Sequence, residues 1–165
     1  MSNETFETSK VSGAHHQLDQ LTGTWEGMTK TYFEPNILAD ESPMQGTIKC
    51  VLDGRFVIYE YSGSLAGKQF EGIAIFGYNL AAKKFQSAWI DSFHMGTGIM
   101  FSQRESTKND LSVIGHYGDE NGDPAWSWRT GIEIVTENQI VITAYNISPE
   151  GVESKATETV YHRML

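Results

Sequence analysis

The chain has a single cysteine, Cys50, so it can close no internal disulfide and assemble no cysteine metal cluster; a small core position is the plain reading of a lone thiol. Basic residues are few, 12 against 21 acidic ones, and the formal charge of −9 repels phosphate backbones, which argues against nucleic acid as a partner. No apolar run approaches the ~20 residues of a membrane helix. The start, Met1-Ser2-Asn3-Glu4, lacks the basic residues and apolar core of a signal peptide, so the expected compartment is the cytoplasm. A nucleophile elbow, a glycine-rich phosphate loop and a zinc-binding helix are also missing, which makes catalysis the less favoured reading.

What is there is aromatic and rich in strand formers. Eight Phe, seven Tyr and four Trp in 165 residues give one domain enough bulk to fill a core and line a cavity besides. Residues 1–12 are polar and aperiodic and read as a flexible arm, with the folded domain over 13–165. Ala14, Leu18 and Leu21 then share one helical face, so a short helix should plug or flank one end of the fold. His15 and His16 are adjacent, point about 100° apart on a helix and cannot chelate one ion together, which leaves them as solvated helix surface.

From Gly23 onward the helical period is lost, and β-rich runs alternate with turn signals. Strands are expected at about 23–33, 46–52, 55–62, 69–78, 84–92, 97–104, 111–118, 125–136, 139–147 and 153–163. Pro35 to Pro43 reads as one long loop and Asp53-Gly54 as a two-residue hairpin turn. Further breaks fall at Ala66-Gly67, Ala81-Ala82-Lys83, Asn109-Asp110, Asn121-Gly122-Asp123-Pro124, Glu137-Asn138 and Pro149-Glu150-Gly151. Short links make sequence neighbours into sheet neighbours. An open sheet of about ten strands would curl or split, so the expected fold is all-β, a single closed antiparallel up-and-down β-barrel, with a sandwich as the alternative. A barrel that wide is not filled by its own side chains, which predicts a ligand cavity.

Period-two alternation nominates the cavity wall. Phe85, Ser87, Trp89, Asp91 and Phe93 share one face, and an acid beside a tryptophan suits a cavity better than solvent. Asp91 either orients a ligand hydroxyl or amine, with burial raising its pKa, or caps the turn before Gly96. Trp126, Trp128, Thr130, Ile132 and Ile134 form one face of a later run, with Arg129 on the other. The simple reading puts the tryptophans inside; a polar lumen would invert it and make Arg129 an anion anchor. Tyr59, Tyr117, Tyr145, Met95 and Met100 could line the same space or be ordinary core.

Leu21-Thr22-Gly23-Thr24-Trp25-Glu26-Gly27 can take a chain from a helix through a sharp turn into a strand with an indole beneath it. Its Gly23 and Trp25 resemble the Gly-x-Trp signature of the calycins, the lipocalins and their relatives. Tyr161-His162-Arg163 adds to this, because calycins pack a basic side chain across that tryptophan; the resemblance implies a cation–π contact of Arg163 over Trp25, worth ~0.5–2 kcal/mol. Over 14–163 the chain is also similar to an uncharacterised, mostly bacterial family of lipocalin-like domains of unknown function. The residues carrying this are 18–25, Leu52-Asp53-Gly54-Arg55-Phe56, the run from Phe70 to Asn79, and Trp89-Ile90-Asp91-Ser92. It implies a barrel and no established activity; Asn79 stands where that family would be expected to carry an acid.

Nitrobindins, small ten-stranded calycins, resemble the chain in overall plan and hold haem through a histidine near the C-terminus, which implies His162 as a haem ligand. The register argues otherwise, since neighbours on a strand face opposite sides and an inward Arg163 turns His162 outward. The glycine-rich pattern after the nitrobindin tryptophan is also replaced here by Met28-Thr29-Lys30-Thr31.

The reading that results is non-covalent binding of a small, mainly apolar molecule, with Tyr59, Trp89, Asp91, Met100, Trp126, Trp128 and Tyr145 on the wall and Trp25 and Arg163 as the closure. Its alternatives are a haem barrel using His162 and a small-molecule isomerase or hydrolase using Asp91, with Glu60 or His94 as its acid–base companion. The partner expected is a small hydrophobic molecule, with a second copy of the chain left open and neither nucleic acid nor membrane.

Overall fold

A computed structural model describes residues 4–105 and 110–165. Residues 1–3 of the expected arm and Asn109 of the expected turn lie outside them. Two short helices, α1 (Phe6–Ser12) and α2 (Ala14–Asp19), precede strands β1 (Gly23–Glu34), β2 (Ile37–Val51), β3 (Phe56–Leu65), β4 (Lys68–Asn79) and β5 (Lys84–Asp91). The chain continues through β6 (Met100–Glu105), β7 (Leu111–Tyr117), β8 (Trp126–Thr136), β9 (Gln139–Ile147) and β10 (Glu153–Arg163). Each strand pairs antiparallel with its sequence neighbours, and β1 pairs with β10, so the sheet closes into an up-and-down barrel. Closure removes both sheet edges, which a flat meander would have had to protect.

Alternation along each strand decides which side chains fill the interior. In β2, Ser42, Met44 and Ile48 are buried while their neighbours are exposed, and in β4 Ala74 and Phe76 are buried between exposed Ile73 and Ile75. The core gathers Leu18, Trp25, Ile48, Val57, Phe85, Leu111, Ile140 and Tyr161, all essentially sealed from solvent.

Four details differ from the sequence expectation. Residues 6–12, read as part of a flexible arm, form α1, started by Thr5, whose hydroxyl accepts from the Thr8 N–H. His15, read as solvated, is buried: its Nδ1 lies 2.8 Å from the Ser9 hydroxyl, and burial pulls its pKa down. Residues 37–43, read as loop, belong to β2. Pro43 is tolerated there because the pairing of β2 with β3 begins one residue later, at Met44 opposite Gly63, leaving Pro43 paired on the β1 side alone. The two-residue hairpin falls at Ala66-Gly67, both left-handed (φ 49° and 81°), between paired Leu65 and Lys68. The connection holding Asp53-Gly54 spans four residues, between paired Val51 and Phe56.

Because the chain reverses at every turn, the starts of odd strands and the ends of even strands share one rim. That rim carries Trp25, Val57, Phe85, Ile140 and Arg163, and α2 packs across it with Leu18 and Leu21 fully buried. The opposite rim carries Tyr61, Trp89, Asp91, Met100 and Trp128, and the connection 92–99 between β5 and β6.

Candidate functional site

At the helix-covered rim the tryptophan and the arginine are both fully partnered. Trp25 is fully buried, its Nε1–H donates to the Leu21 carbonyl at 2.9 Å, and the Arg163 guanidinium carbon sits 4.3 Å from its ring centroid. Arg163 also donates to the carbonyls of Glu137 (2.9 Å), Gln20 (3.1 Å) and Thr22, tying the last strand to the helix end. Gly23, at φ 152°, is required here: a side chain would occupy the place of that guanidinium. His162 is exposed and faces away from Arg163, so the register denies it the interior and with it a haem held from that position.

Above this floor Tyr161 and Tyr59 meet hydroxyl to hydroxyl at 2.6 Å, and burial pushes both phenols well above their ordinary pKa. Thr29 and Thr159, opposite one another on β1 and β10, pair at 2.7 Å. The lumen then opens into a cavity. Its volume is about 100 Å³. Its wall is mainly apolar, with Met44, Phe70, Phe76, Trp89, Met100, Trp128 and Ile142, and its polar positions are mostly hydroxyls such as Ser87, Ser102 and Thr130. Those proportions, an apolar body with a few polar points, are what small-molecule sites use.

Of the wall residues expected from sequence, Tyr59, Trp89, Met100 and Trp128 line this cavity. Trp89 and Trp128 stack on each other, with ring centroids 5.8 Å apart and an interplanar angle of 20°. Three expected residues do not line it. Tyr145 pairs with Arg129 on the outward parity of β8 and β9, and its ring lies under the Arg129 guanidinium at 4.2 Å, on the outer surface. Trp126 shares the inward parity of Trp128 but stands at the rim, beyond the cavity, and is 39% exposed. Arg129 itself pairs with Glu153 outside, so the inverted reading of β8 is excluded.

Asp91 is the third, and its position is between the two roles expected of it. Its side chain is fully buried and points inward, yet both oxygens are occupied. Oδ2 accepts the Tyr61 hydroxyl; Oδ1 accepts the backbone N–H of Phe93 (2.6 Å) and of His94 (2.7 Å) and lies 3.1 Å from His94 Nδ1. The burial-raised pKa expected for it is not found. Desolvation is the largest single effect and does push the carboxyl up, but hydrogen bonds from His94, Tyr61 and the backbone together outweigh it and hold the group below its ordinary value. A carboxylate so saturated is a poor direct base for a ligand. Glu60, its other suggested acid–base companion, is exposed on the outward face of β3.

The network continues on both sides. Trp89 Nε1–H donates to the Tyr61 oxygen at 2.7 Å, so Tyr61 accepts from the indole and donates to the carboxylate. Its phenol pKa is raised, by burial first and by the Asp91 charge second. His94 lines the cavity with its ring against Trp89 (5.5 Å), Trp128 (5.9 Å), Phe70 (6.1 Å) and Phe93 (4.8 Å). Sequence reasoning named His94 only as a companion to Asp91 and missed it as a wall residue. The available signal was the i to i+3 spacing from Asp91, which a capping turn uses to fold a side chain back over its own strand end. No group of three or more metal-ligating side chains occurs among the described residues.

Comparison with known proteins adds the lineage. The chain is similar to Rv2717c from M. tuberculosis, a crystal structure superposing with a TM-score of 0.57 at 14% identity over 91% of this chain and 96% of that one. A de novo designed fluorescence-activating β-barrel matches with a TM-score of 0.42 at 11% identity, over 89% and 96% of the two chains. A protein of unknown function from the DUF3598 family of Nostoc punctiforme matches at 0.41 and 10%, over 90% of this chain and 49% of the other. No curated protein matches. A family model covers residues 10–163, nearly the whole chain, and the protein therefore belongs to the family described as "Protein of unknown function (DUF1579)".

Proposed function

We propose that the protein is a calycin-type barrel that binds a small, mainly apolar molecule non-covalently in its lumen. The observation that carries this is the cavity at the rim away from α2: its wall is apolar and aromatic, and the closure end of the same barrel is filled solid. Folding gains most by filling space, because each buried methylene is worth about 0.8 kcal/mol. A lumen packed at one end and left open at the other is therefore better explained by an occupant than by a core. Trp89, Trp128 and Met100 provide its apolar contacts, and Tyr59 forms part of the far wall.

The test is an equilibrium titration with the neutral dye N-phenyl-1-naphthylamine, which brightens in an apolar site. One saturable site is expected, and Trp128→Ala should weaken it about tenfold, the equivalent of about 1.4 kcal/mol of lost contact. Arg129→Ala, on the outer face of the same strand, should leave it unchanged. Equal weakening by both variants, or no saturable binding, would contradict the reading.

A further inference from the structure

Among the described residues, His94 is the one cavity-lining side chain that can carry a positive charge; no Lys or Arg reaches that wall. The two phenols of that wall are consumed. Tyr61 is used in both directions, by Trp89 and Asp91, and Tyr59 is paired with Tyr161. The imidazole is held differently. Nδ1 lies 3.1 Å from a carboxylate that already accepts three other hydrogen bonds, which places the proton of that contact on Nδ1. Nε2 has no hydrogen-bond partner among the described residues, and the His94 side chain keeps 23% of its surface exposed, so the imidazole is reachable at the cavity mouth rather than sealed.

We infer that the ligand, on the lumen-binding reading above, ends in a carboxylic acid whose head is held by His94 Nε2 at the cavity mouth, with its apolar body against Trp89 and Trp128. The proton balance is simple. The ligand arrives as the carboxylate that an acid of pKa about 4 forms in neutral water, one proton from solvent is taken up on Nε2, and the complex is a carboxylate beside an imidazolium whose other N–H faces Asp91. Net charge in the site is the same before and after, so no unpaired charge is buried. The resulting charge-assisted hydrogen bond is roughly twice as strong as the neutral bond an alcohol or ester would make there. Asp91 acts through His94: it orients the ring and supplies its counter-charge, in the manner of a carboxylate behind a working histidine. Tyr61 and Trp89 in turn fix Asp91, and both also line the cavity, so the head-group site is continuous with the wall.

The experiment compares 2-naphthoic acid with its methyl ester, followed by quenching of the intrinsic tryptophan fluorescence in wild type, His94→Ala and His94→Gln. Wild type should bind the acid about tenfold more tightly than the ester, and in both variants the ratio of acid to ester affinity should fall to about one, whatever wall contact the two compounds lose together; circular dichroism certifies that the variants are folded. Equal affinities for acid and ester in wild type, or an acid preference that survives in both variants, would overturn the head-group assignment and leave lumen binding standing. Failure of both compounds to bind at millimolar concentration would remove lumen binding, and this inference with it.

Discussion

The two ends of the barrel are built from the same kinds of parts and differ in what remains after those parts are joined. Each end sets a tryptophan against a charged side chain with a tyrosine hydroxyl nearby. At the α2 end the series terminates on itself: Trp25 gives its N–H to Leu21, Arg163 covers the indole and donates to three carbonyls, and Tyr161 meets Tyr59. At the other end it runs from Trp89 through Tyr61 and Asp91 to His94 and stops at an imidazole nitrogen with no hydrogen-bond partner among the described residues. Saturation makes a floor, and an unfinished series beside open space makes a site. An aromatic residue with a charge next to it is thus not diagnostic of function in a barrel; the accounting of donors and acceptors around it is.

The largest effect should come from breaking the floor. Trp25→Ala removes a fully buried indole and should cost about 3–5 kcal/mol in chemical denaturation, while dye affinity of the folded fraction stays the same. A loss below ~1 kcal/mol would mean the indole does not close the barrel.

Next in size is Asp91→Asn, which leaves His94 and Tyr61 without their acceptor charge and should cost about 1–3 kcal/mol by the same measurement. The pH dependence follows from the direction of the shift. Asp91 is held below its ordinary value when folded, so its contribution is fully present above the unfolded carboxylate range near about pH 4 and is lost as pH falls through the lower folded value. Stability of the wild type should therefore decline on acidification below about pH 4 more steeply than that of Asp91→Asn. Parallel acid profiles would remove the carboxylate from the account.

Trp128→Ala should weaken dye binding about tenfold, a functional loss of about 1.4 kcal/mol, and so separates the site end from the floor by readout as well as by place. The smallest expected effect is that of His162→Ala, an exposed outward residue, which should stay within about 0.5 kcal/mol in stability and leave binding untouched. A change in binding there would reopen the interior of β10 to His162.

Much of the barrel was legible because its signals are local. β-rich runs between turn signals marked all ten strands, and alternation marked the faces of β5 and β8. What failed were places where tertiary context overrode a local sign. Pro43 suggests loop until one sees that its strand is paired on one side there. His15 suggests solvent until Ser9 of α1 is folded over it. Parity set Trp128 and Arg129 on opposite faces and left open which of them is inward, and it could have excluded Tyr145 only with the register of β9 against β8, where Tyr145 stands opposite Arg129. The site was legible in half: Trp89 and Asp91 are a pair in sequence, but the fate of the Asp91 oxygens depends on Tyr61, thirty residues earlier, and on a turn that brings His94 back. Pairings of that kind belong to the fold and have no period.

The most direct measurement uses the four tryptophans as reporters, one indole N–H resonance each in a proton–nitrogen correlation spectrum of labelled protein. On titration with N-phenyl-1-naphthylamine, the Trp89 and Trp128 resonances should move together and saturate, while Trp25, bonded to Leu21 beneath the core, holds its position. Movement centred on Trp25, with Trp89 and Trp128 unchanged, would place the ligand at the wrong end and contradict the account.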